Sequence, residues 1–247
     1  MKQVMLILLF LFSSNLLFGK ELNILFIGNS YTYRNHMPKL FEKMAHLNGK
    51  KVNVYTNTKG RTSFYGHFMR QKMFKAIAWK KWDLVVLQGS SRDMIKDEKT
   101  FKEKTIPGLE KILSSIKQNH RSTKVYFFMT WAYQKGYGKM SYDDMTLNVK
   151  KGYEGLSEKY NIPVVPVGLA WKEVVQKYQK TQLYQPDEAH PSLKGSYLTA
   201  SCFYVSIFKK KPRKHLSLFD EKLHQKLGET SFKIVKGYDY SPLNFEN

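Results

Sequence analysis

Five short apolar runs, rich in β-branched and aromatic residues, alternate along the chain with longer segments of helical spacing. The runs are Asn23 to Ile27, Val52 to Thr56, Leu84 to Leu87, Lys124 to Met129 and Pro163 to Val167. The helical segments are Met37 to Leu47, Phe64 to Trp79, Phe101 to Gln118, Asp143 to Tyr160, Leu169 to Tyr178, Pro191 to Phe208 and Phe219 to Leu227. This alternation predicts an α/β fold, a three-layer α/β/α sandwich with a five-stranded parallel sheet. In such sheets, ligands bind at the carboxyl ends of the strands.

The chain has 247 residues, enough for one domain of this kind, and no linker or repeat divides it. Its first 19 residues carry a single charge, Lys2, followed by the mostly apolar stretch Val4 to Phe18 and by Gly19. This is the pattern of a secretory signal peptide. We therefore expect a signal peptide at residues 1–19, one domain at residues 20–247, and export to the periplasm or out of the cell. An uncleaved N-terminal anchor is the alternative.

A serine follows the first predicted strand in the segment Gly28-Asn29-Ser30-Tyr31-Thr32. Gly28 permits a tight turn, and a helix that starts at Ser30 leaves backbone N–H groups free to face a developing oxyanion. A serine hydroxyl is a poor nucleophile unless a base accepts its proton and a carboxylate orients that base. Ser30 is therefore a candidate nucleophile. A helix-capping serine is the alternative.

The base and the carboxylate are present in a second segment, Asp187-Glu188-Ala189-His190-Pro191. Pro191 disfavours helical geometry at His190 and suits a first helical turn, so this segment should be a loop that leads into a helix. We predict that Ser30, His190 and Asp187 form a catalytic triad at one sheet edge. The alternative is a loop histidine bonded to backbone and an aspartate that caps a turn.

At these residues the chain resembles the SGNH (GDSL-type) hydrolase superfamily, whose first block is Gly-Asp-Ser and whose last is Asp-x-x-His, often followed by proline. The resemblance spans roughly residues 23 to 212. It implies the flavodoxin-like SGNH hydrolase fold and ester hydrolysis through an acyl-enzyme, with no metal or organic cofactor. Asn29 stands where the family has aspartate, which keeps side-chain hydrogen bonding and removes a charge.

The two middle blocks of the superfamily complete the oxyanion hole with a glycine N–H and an asparagine amide. Gly60, after the second predicted strand, fits the glycine. The third strand runs into Gln88-Gly89-Ser90-Ser91, where Ser91 falls near the family asparagine and Gln88 offers a primary amide. This stretch resembles sialate O-acetylesterase-like and acetylxylan-esterase-like members. The resemblance therefore implies an oxyanion hole of Ser30, Gly60 and Gln88, with Ser91 as the second choice to Gln88.

Four residues beside these segments are predicted to line the substrate site: Asn29, Tyr31, Arg61 and Trp131. Trp131 follows the fourth predicted strand, where its ring could stack on a sugar, and core packing is the alternative. Arg61, next to Gly60, could meet an anionic substrate group. An exposed arginine without a specific contact is the other interpretation.

The formal net charge is +21, and the excess is mostly lysine scattered along the chain. Such a field favours an anionic partner, for example an acidic polysaccharide or a membrane surface, although a solvated basic surface without a specific ligand is also consistent with it. No nucleic-acid-binding motif is present, so no nucleic acid partner is predicted. The histidines lack metal-ligand spacing with Cys, Asp or Glu, so no metal is predicted.

The sequence thus predicts an exported serine esterase that needs no cofactor. Its substrate is a small-molecule or glycan ester, and the resemblance implies an O-acetyl group on a carbohydrate. A lipid ester or thioester hydrolase is the competing enzyme. A catalytically silent carbohydrate- or surface-binding protein of the same fold is the competing non-enzyme, motivated by Asn29, Ser91 and the basic charge.

Overall fold

The structure is a computed structural model that describes residues 20–238. The signal peptide predicted at residues 1–19 lies outside the described residues, as do residues 239–247. Within residues 20–238, no helix combines the length and the apolar character that crossing a membrane requires.

Five parallel strands form one sheet with the order β2-β1-β3-β4-β5. The strands are β1 (Leu22–Gly28), β2 (Val52–Thr58), β3 (Leu84–Leu87), β4 (Lys124–Phe128) and β5 (Val164–Val165). This is the strand order of the flavodoxin-like, doubly wound fold. The predicted α/β/α sandwich with a five-stranded parallel sheet is confirmed.

Helices cover both faces of the sheet. They are α1 (Ser30–Tyr33), α2 (Met37–Leu47), α3 (Phe64–Phe68), α4 (Gln71–Ala78), α5 (Glu98–Thr100), α6 (Ile106–Asn119), α7 (Tyr142–Tyr160), α8 (Val167–Lys177), α9 (Leu193–Phe208) and α10 (Glu221–Gly237). Short 3₁₀ segments lie at Arg34–His36 and Ser91–Ile95, and a π segment lies at Phe101–Thr105.

The hydrophobic core has two halves, one on each face of the sheet. Ile24 and Phe26 of β1 point to the half that contains α2, α8, α9 and α10. Leu25 and Ile27 point to the half that contains α3, α4, α6 and α7. Because side chains alternate along a strand, a strand covered on both faces must be apolar throughout. This explains the uninterrupted apolar runs in the sequence.

The segment predicted as one helix over Phe64 to Trp79 is instead two helices, α3 and α4, separated by the extended backbone of Arg70. The helix α3 packs tightly on α6 at Gly108, where a Cβ would lie only 3.2 Å from the Tyr65 Cα. The helix α4 buries Met73 and Ile77 in the core on the same face of the sheet. The break lets the two helices follow different directions on one face.

The fifth strand is shorter than predicted and the last helix is longer. Pro166 caps α8, which begins at Val167 and so ends β5 early. The predicted helix over Phe219 to Leu227 begins after the Asp220 cap and continues to Gly237. Its residues Leu227, Ile234 and Val235 pack against the core, which supplies the energy for the extra turns.

Candidate active site

The turn after β1 places Ser30 at the start of α1. The Asn29 side chain caps this helix by accepting a hydrogen bond from the Tyr31 N–H at 3.0 Å. Gly28 is required here because a Cβ at this position would overlap the Thr32 side chain and lie 2.6 Å from Gln88 Oε1. The Ser30 N–H lies in the first turn of the helix, where backbone N–H groups have no intrahelical acceptor.

Ser30, His190 and Asp187 form a continuous hydrogen-bonded chain. The Ser30 Oγ lies 2.9 Å from His190 Nε2, across 160 positions of sequence. The His190 Nδ1 lies 2.5 Å from Asp187 Oδ2. Since a carboxylate accepts, Nδ1 carries the proton and Nε2 of the neutral ring is the acceptor for the serine hydroxyl. This tautomer is the one that general-base catalysis by His190 requires.

The Asp187 carboxylate is kept ionised by its own loop. Partial burial raises the pKa of Asp187, but hydrogen bonds from the His190 backbone and ring and from the Ala189 N–H outweigh it, so the pKa lies below its ordinary value. The Oδ1 atom accepts the backbone N–H of His190 at 2.9 Å and of Ala189 at 3.1 Å. Asp187 therefore stabilises both the fold of the loop and the protonated imidazole.

Trp131 is hydrogen-bonded to the loop that carries Asp187 and His190. Its Nε1 donates to the Ala189 carbonyl at 3.0 Å. The ring stacks on Tyr31 at 4.4 Å and on Trp171 at 3.8 Å between ring centroids. Trp131 is 0% exposed, so the predicted role in lining the substrate site is not supported. It is enclosed because a stack of three rings fills the space between α1 and α8.

Tyr31 forms one wall of the site. Its ring meets the His190 ring edge to face, with centroids 5.7 Å apart and an interplanar angle of 86°. Burial raises the pKa of the Tyr31 hydroxyl well above its ordinary value, so it remains a neutral donor and acceptor. Tyr31 therefore lies beside the His190 imidazole.

The Gln88 side chain is bound to the turn that follows β1. It is fully buried, and Oε1 accepts the Asn29 N–H at 2.8 Å and the Thr32 hydroxyl at 2.9 Å. Its amide nitrogen donates to the Gly89 carbonyl. The prediction that this amide completes the oxyanion hole is not supported, because the Asn29 N–H and the Thr32 hydroxyl engage its oxygen and the Gly89 carbonyl engages its nitrogen.

Ser91, the second choice, is also enclosed. It is 1% exposed, and its hydroxyl lies 2.9 Å from both Thr130 Oγ1 and the Trp131 carbonyl. It ties the loop after β3 to the loop after β4. Gly60 follows β2, on a loop held to the end of β1 by the bond from the Lys59 N–H to the Gly28 carbonyl at 3.0 Å. Backbone N–H groups of Ser30 and Gly60 thus remain as the candidate oxyanion donors.

Neither a family model nor a curated relative matches this sequence. Solved structures do. A DUF4886 family protein from Bacteroides uniformis is 15% identical, with a TM-score of 0.76, and the match covers 88% of this chain and 96% of that one. A protein from Slackia heliotrinireducens, proposed to be an SGNH hydrolase, is 23% identical with a TM-score of 0.58, covering 75% and 98%. The acetylxylan esterase Axe2 from Geobacillus stearothermophilus is 18% identical with a TM-score of 0.56, covering 75% and 94%.

This chain has the SGNH hydrolase fold. The fold expected from the segments around Ser30 and around Asp187 and His190 is confirmed. In the SGNH fold of this chain, the loops after β1, β2 and β3 and the loop before α9 carry the residues that resemble the four blocks.

Asn29 has a task in this SGNH fold that an aspartate could not perform. Its Nδ2 donates to the Thr62 carbonyl at 3.0 Å and lies 3.4 Å from the Gly89 carbonyl. It thereby joins the loops after β1, β2 and β3. A carboxylate lacks a donor and would face two carbonyl oxygens, so an amide is the suitable side chain. Asn29 is buried and acts as this cross-link rather than as a substrate-lining residue.

Sequence reasoning missed Asp93, which is fully buried beside these loops. Its Oδ2 accepts the backbone N–H of Phe64 at 3.0 Å and of Ser90 at 2.9 Å, and its Oδ1 pairs with Lys96 at 2.7 Å. The spacing Ser90-x-x-Asp93 is that of a capping box, which is the signal that could have identified it. Asp93 fixes the loop after β2 relative to the loop after β3.

Arg61 is exposed, with its backbone in the left-handed region at φ 57°. It lines a cleft beside the loop that carries Gly60. Within residues 20–238, no cluster of three or more His, Cys, Asp or Glu side chains is arranged to hold a metal ion.

Proposed function

We propose that this protein is a serine ester hydrolase. The observation that carries the proposal is the unbroken hydrogen-bonded chain from the Ser30 hydroxyl through His190 to Asp187. It lies at the carboxyl edge of the sheet in an SGNH hydrolase fold. Ser30 lies at the N-terminus of α1 and is largely buried, with 8% of the residue exposed.

The proposed reaction proceeds through an acyl-enzyme. The Ser30 Oγ attacks the ester carbonyl carbon as His190 Nε2 takes its proton, and Asp187 stabilises the resulting imidazolium. The backbone N–H groups of Ser30 and Gly60 receive the oxyanion. His190 then gives its proton to the leaving alcohol, and an acyl-enzyme remains on Ser30. Water, activated by the same imidazole, releases the acid. All these steps use side chains and backbone groups of the chain itself.

We propose an O-acetylated carbohydrate as the substrate and export as the route to it. Support for the substrate comes from the resemblance in the middle blocks and from the likeness of fold to an acetylxylan esterase. Support for export comes from residues 1–19, which have signal-peptide composition. The net charge of +21 is consistent with a polyanionic glycan or membrane surface nearby.

Labelling with a fluorophosphonate tests the nucleophile. We expect one adduct per chain, located on Ser30 by peptide mass spectrometry, and none in Ser30→Ala or His190→Ala. Ser114→Ala removes an exposed hydroxyl from α6, outside the triad and the loops that carry it, and should label like the wild type. Folded wild-type protein that takes no label would overturn the esterase and favour the silent binding protein.

The acyl group is tested with p-nitrophenyl esters of increasing chain length. An acetyl esterase should show its highest kcat/KM on acetate and propionate and should release acetate from acetylated xylan. A kcat/KM that rises steadily to long-chain esters would instead identify a lipid ester hydrolase.

A further inference from the structure

A cleft of 410 Å³ opens beside the candidate active site, between the loops that follow β2 and β3. Its lining is mostly polar or charged, with one apolar residue, Ile95; the others are Arg61, Ser63, Ser90, Arg92, Asp93, Lys96 and Tyr137. We call it the arginine cleft. None of its side chains takes part in the triad, and the reaction as derived above does not use them.

The arginine cleft adjoins the nucleophile through Asn29. The Asn29 amide nitrogen lies 3.0 Å from the Thr62 carbonyl and 3.4 Å from the Gly89 carbonyl. Arg61 is next in sequence to Thr62, and Ser90 is next to Gly89. The two walls of the cleft are therefore anchored on the residue that precedes Ser30.

Ring contacts connect the cleft to the other side of the triad. The Arg92 guanidinium lies 5.7 Å from the Tyr137 ring centroid, and the Tyr137 ring lies 5.9 Å from that of Tyr133. Burial, and next the neighbouring Tyr133, raise the pKa of the Tyr31 hydroxyl, and the Tyr31 ring contacts the His190 ring. Arg92 thus lies on the same rim as the catalytic imidazole.

The charges of the cleft do not cancel. Lys96 is neutralised by Asp93 at 2.7 Å. Among residues 20–238, neither Arg61 nor Arg92 forms an ion pair within 4.0 Å of a carboxylate. On the other side of the His190 loop, Lys135 is paired with Glu188 at 2.7 Å. The cleft therefore carries an excess of positive charge, contributed by Arg61 and Arg92.

The geometry points to a binding site for an anionic group on the substrate, a carboxylate or sulfate held by Arg61 and Arg92. This rests on the proposed function. Guanidinium groups present paired N–H donors that match carboxylate and sulfate oxygens. If the acyl group is acetyl, it carries no charge, so the anion must belong to the alcohol part. The substrate class is then an acidic O-acetylated glycan, containing uronic acid or sulfated sugars.

Matched acetate esters test this inference. The wild type and the Arg61→Gln/Arg92→Gln variant are assayed on 4-acetoxybenzoate, on its neutral methyl ester and on 4-acetoxybenzenesulfonate. We expect the double substitution to lower kcat/KM on the anionic esters through KM, by about tenfold for each arginine. On the methyl ester, kcat/KM should change less than about threefold. The anionic ester that suffers the larger loss tells carboxylate from sulfate.

The control is Lys151→Gln/Lys222→Gln, which removes the same two charges from exposed positions on α7 and α10, outside the cleft. This control should leave the ratio of kcat/KM on the anionic esters to kcat/KM on the neutral methyl ester unchanged. That result is expected if a specific site, rather than the overall charge, attracts the anion. Equal losses on the neutral and anionic esters in the arginine variant would overturn the inference, as would no loss on either.

Hydrolysis of the neutral methyl ester reports separately on the proposed function. If the wild type cleaves none of the esters, the esterase proposal fails and anion binding is measured directly by calorimetry with trigalacturonate, using maltotriose as the neutral control. Binding of trigalacturonate that the arginine substitutions abolish would support the cleft as an anion site. Its absence in the wild type would overturn it.

Discussion

Trp131→Phe should impair catalysis although residue 131 does not contact the substrate. Phenylalanine retains an aromatic ring between Tyr31 and Trp171 but cannot donate to the Ala189 carbonyl, a bond of 3.0 Å in the wild type. That carbonyl belongs to the residue next to His190. Losing the donor frees the loop on which the imidazole depends for its 2.9 Å contact with Ser30.

Trp131→Phe should lower both the stability of the fold and kcat. Leaving a partly buried carbonyl without its donor, together with the smaller ring, should lower the free energy of unfolding by about 2–4 kcal/mol. For a chain of this size that lowers Tm by roughly 4–16 °C. A displacement of His190 by about 1 Å would lower kcat by a factor on the order of 100. Both kcat on p-nitrophenyl acetate and the rate of fluorophosphonate labelling should fall.

Trp82→Phe provides a matched control on the opposite face of the sheet. Trp82 is also buried, and its Nε1 donates to the Ile77 carbonyl at 3.0 Å. This substitution should destabilise the fold by a similar amount but leave kcat within about twofold of the wild type at a temperature where both are folded. Equal losses of kcat in the two variants would refute a positioning role for Trp131.

Three further outcomes are expected. Gly28→Ala should abolish fluorophosphonate labelling of Ser30 and destabilise the fold, because the new Cβ would overlap Thr32. Labelling measures the first effect and thermal unfolding followed by circular dichroism measures the second. A stable, fully active variant would contradict the need for glycine in this turn. Asp187→Asn should lower kcat by a factor on the order of 10⁴ at neutral pH, since the carboxylate fixes the tautomer of His190; a loss below tenfold would argue against the triad. Burial, aided by Arg70, lowers the pKa of His67 to about 4. Between pH 7 and pH 5 the unfolded state therefore binds a proton at His67 that the native state does not bind. The free energy of unfolding, measured with urea, should fall by about 2 kcal/mol over this range in the wild type. The fall should be absent in His67→Gln.

The sheet was predictable because its physical signal is strong and local. A strand buried on both faces must be apolar at consecutive positions, as β1 is from Ile24 to Ile27. The break between α3 and α4 had no such signal, since Met69 and Arg70 fit a helix by composition. It reflects tertiary packing, in which Gly108 lets α3 approach α6 closely.

The close approach of Ser30, His190 and Asp187 could also be expected, for a topological reason. Residues that follow parallel strands meet at one edge, and a histidine three positions after an aspartate in a loop can share its carboxylate. The roles of Gln88 and Trp131 were not predictable. Residue type says that an amide or an indole can donate, but the direction in which it donates depends on acceptors that only the folded loops bring together.

These two residues show how the site is constructed. Both side chains were expected to contact the substrate, and both instead connect loops. Gln88 accepts a hydrogen bond from the turn after β1, and Trp131 donates one to the loop that carries His190. Asn29 joins the three loops after β1, β2 and β3 through one amide. These three side chains are committed to hydrogen bonds within the protein, so none of them is offered to a substrate. In the inference proposed above, substrate discrimination comes from the rim, where Arg61 and Arg92 form no ion pair with a carboxylate among residues 20–238.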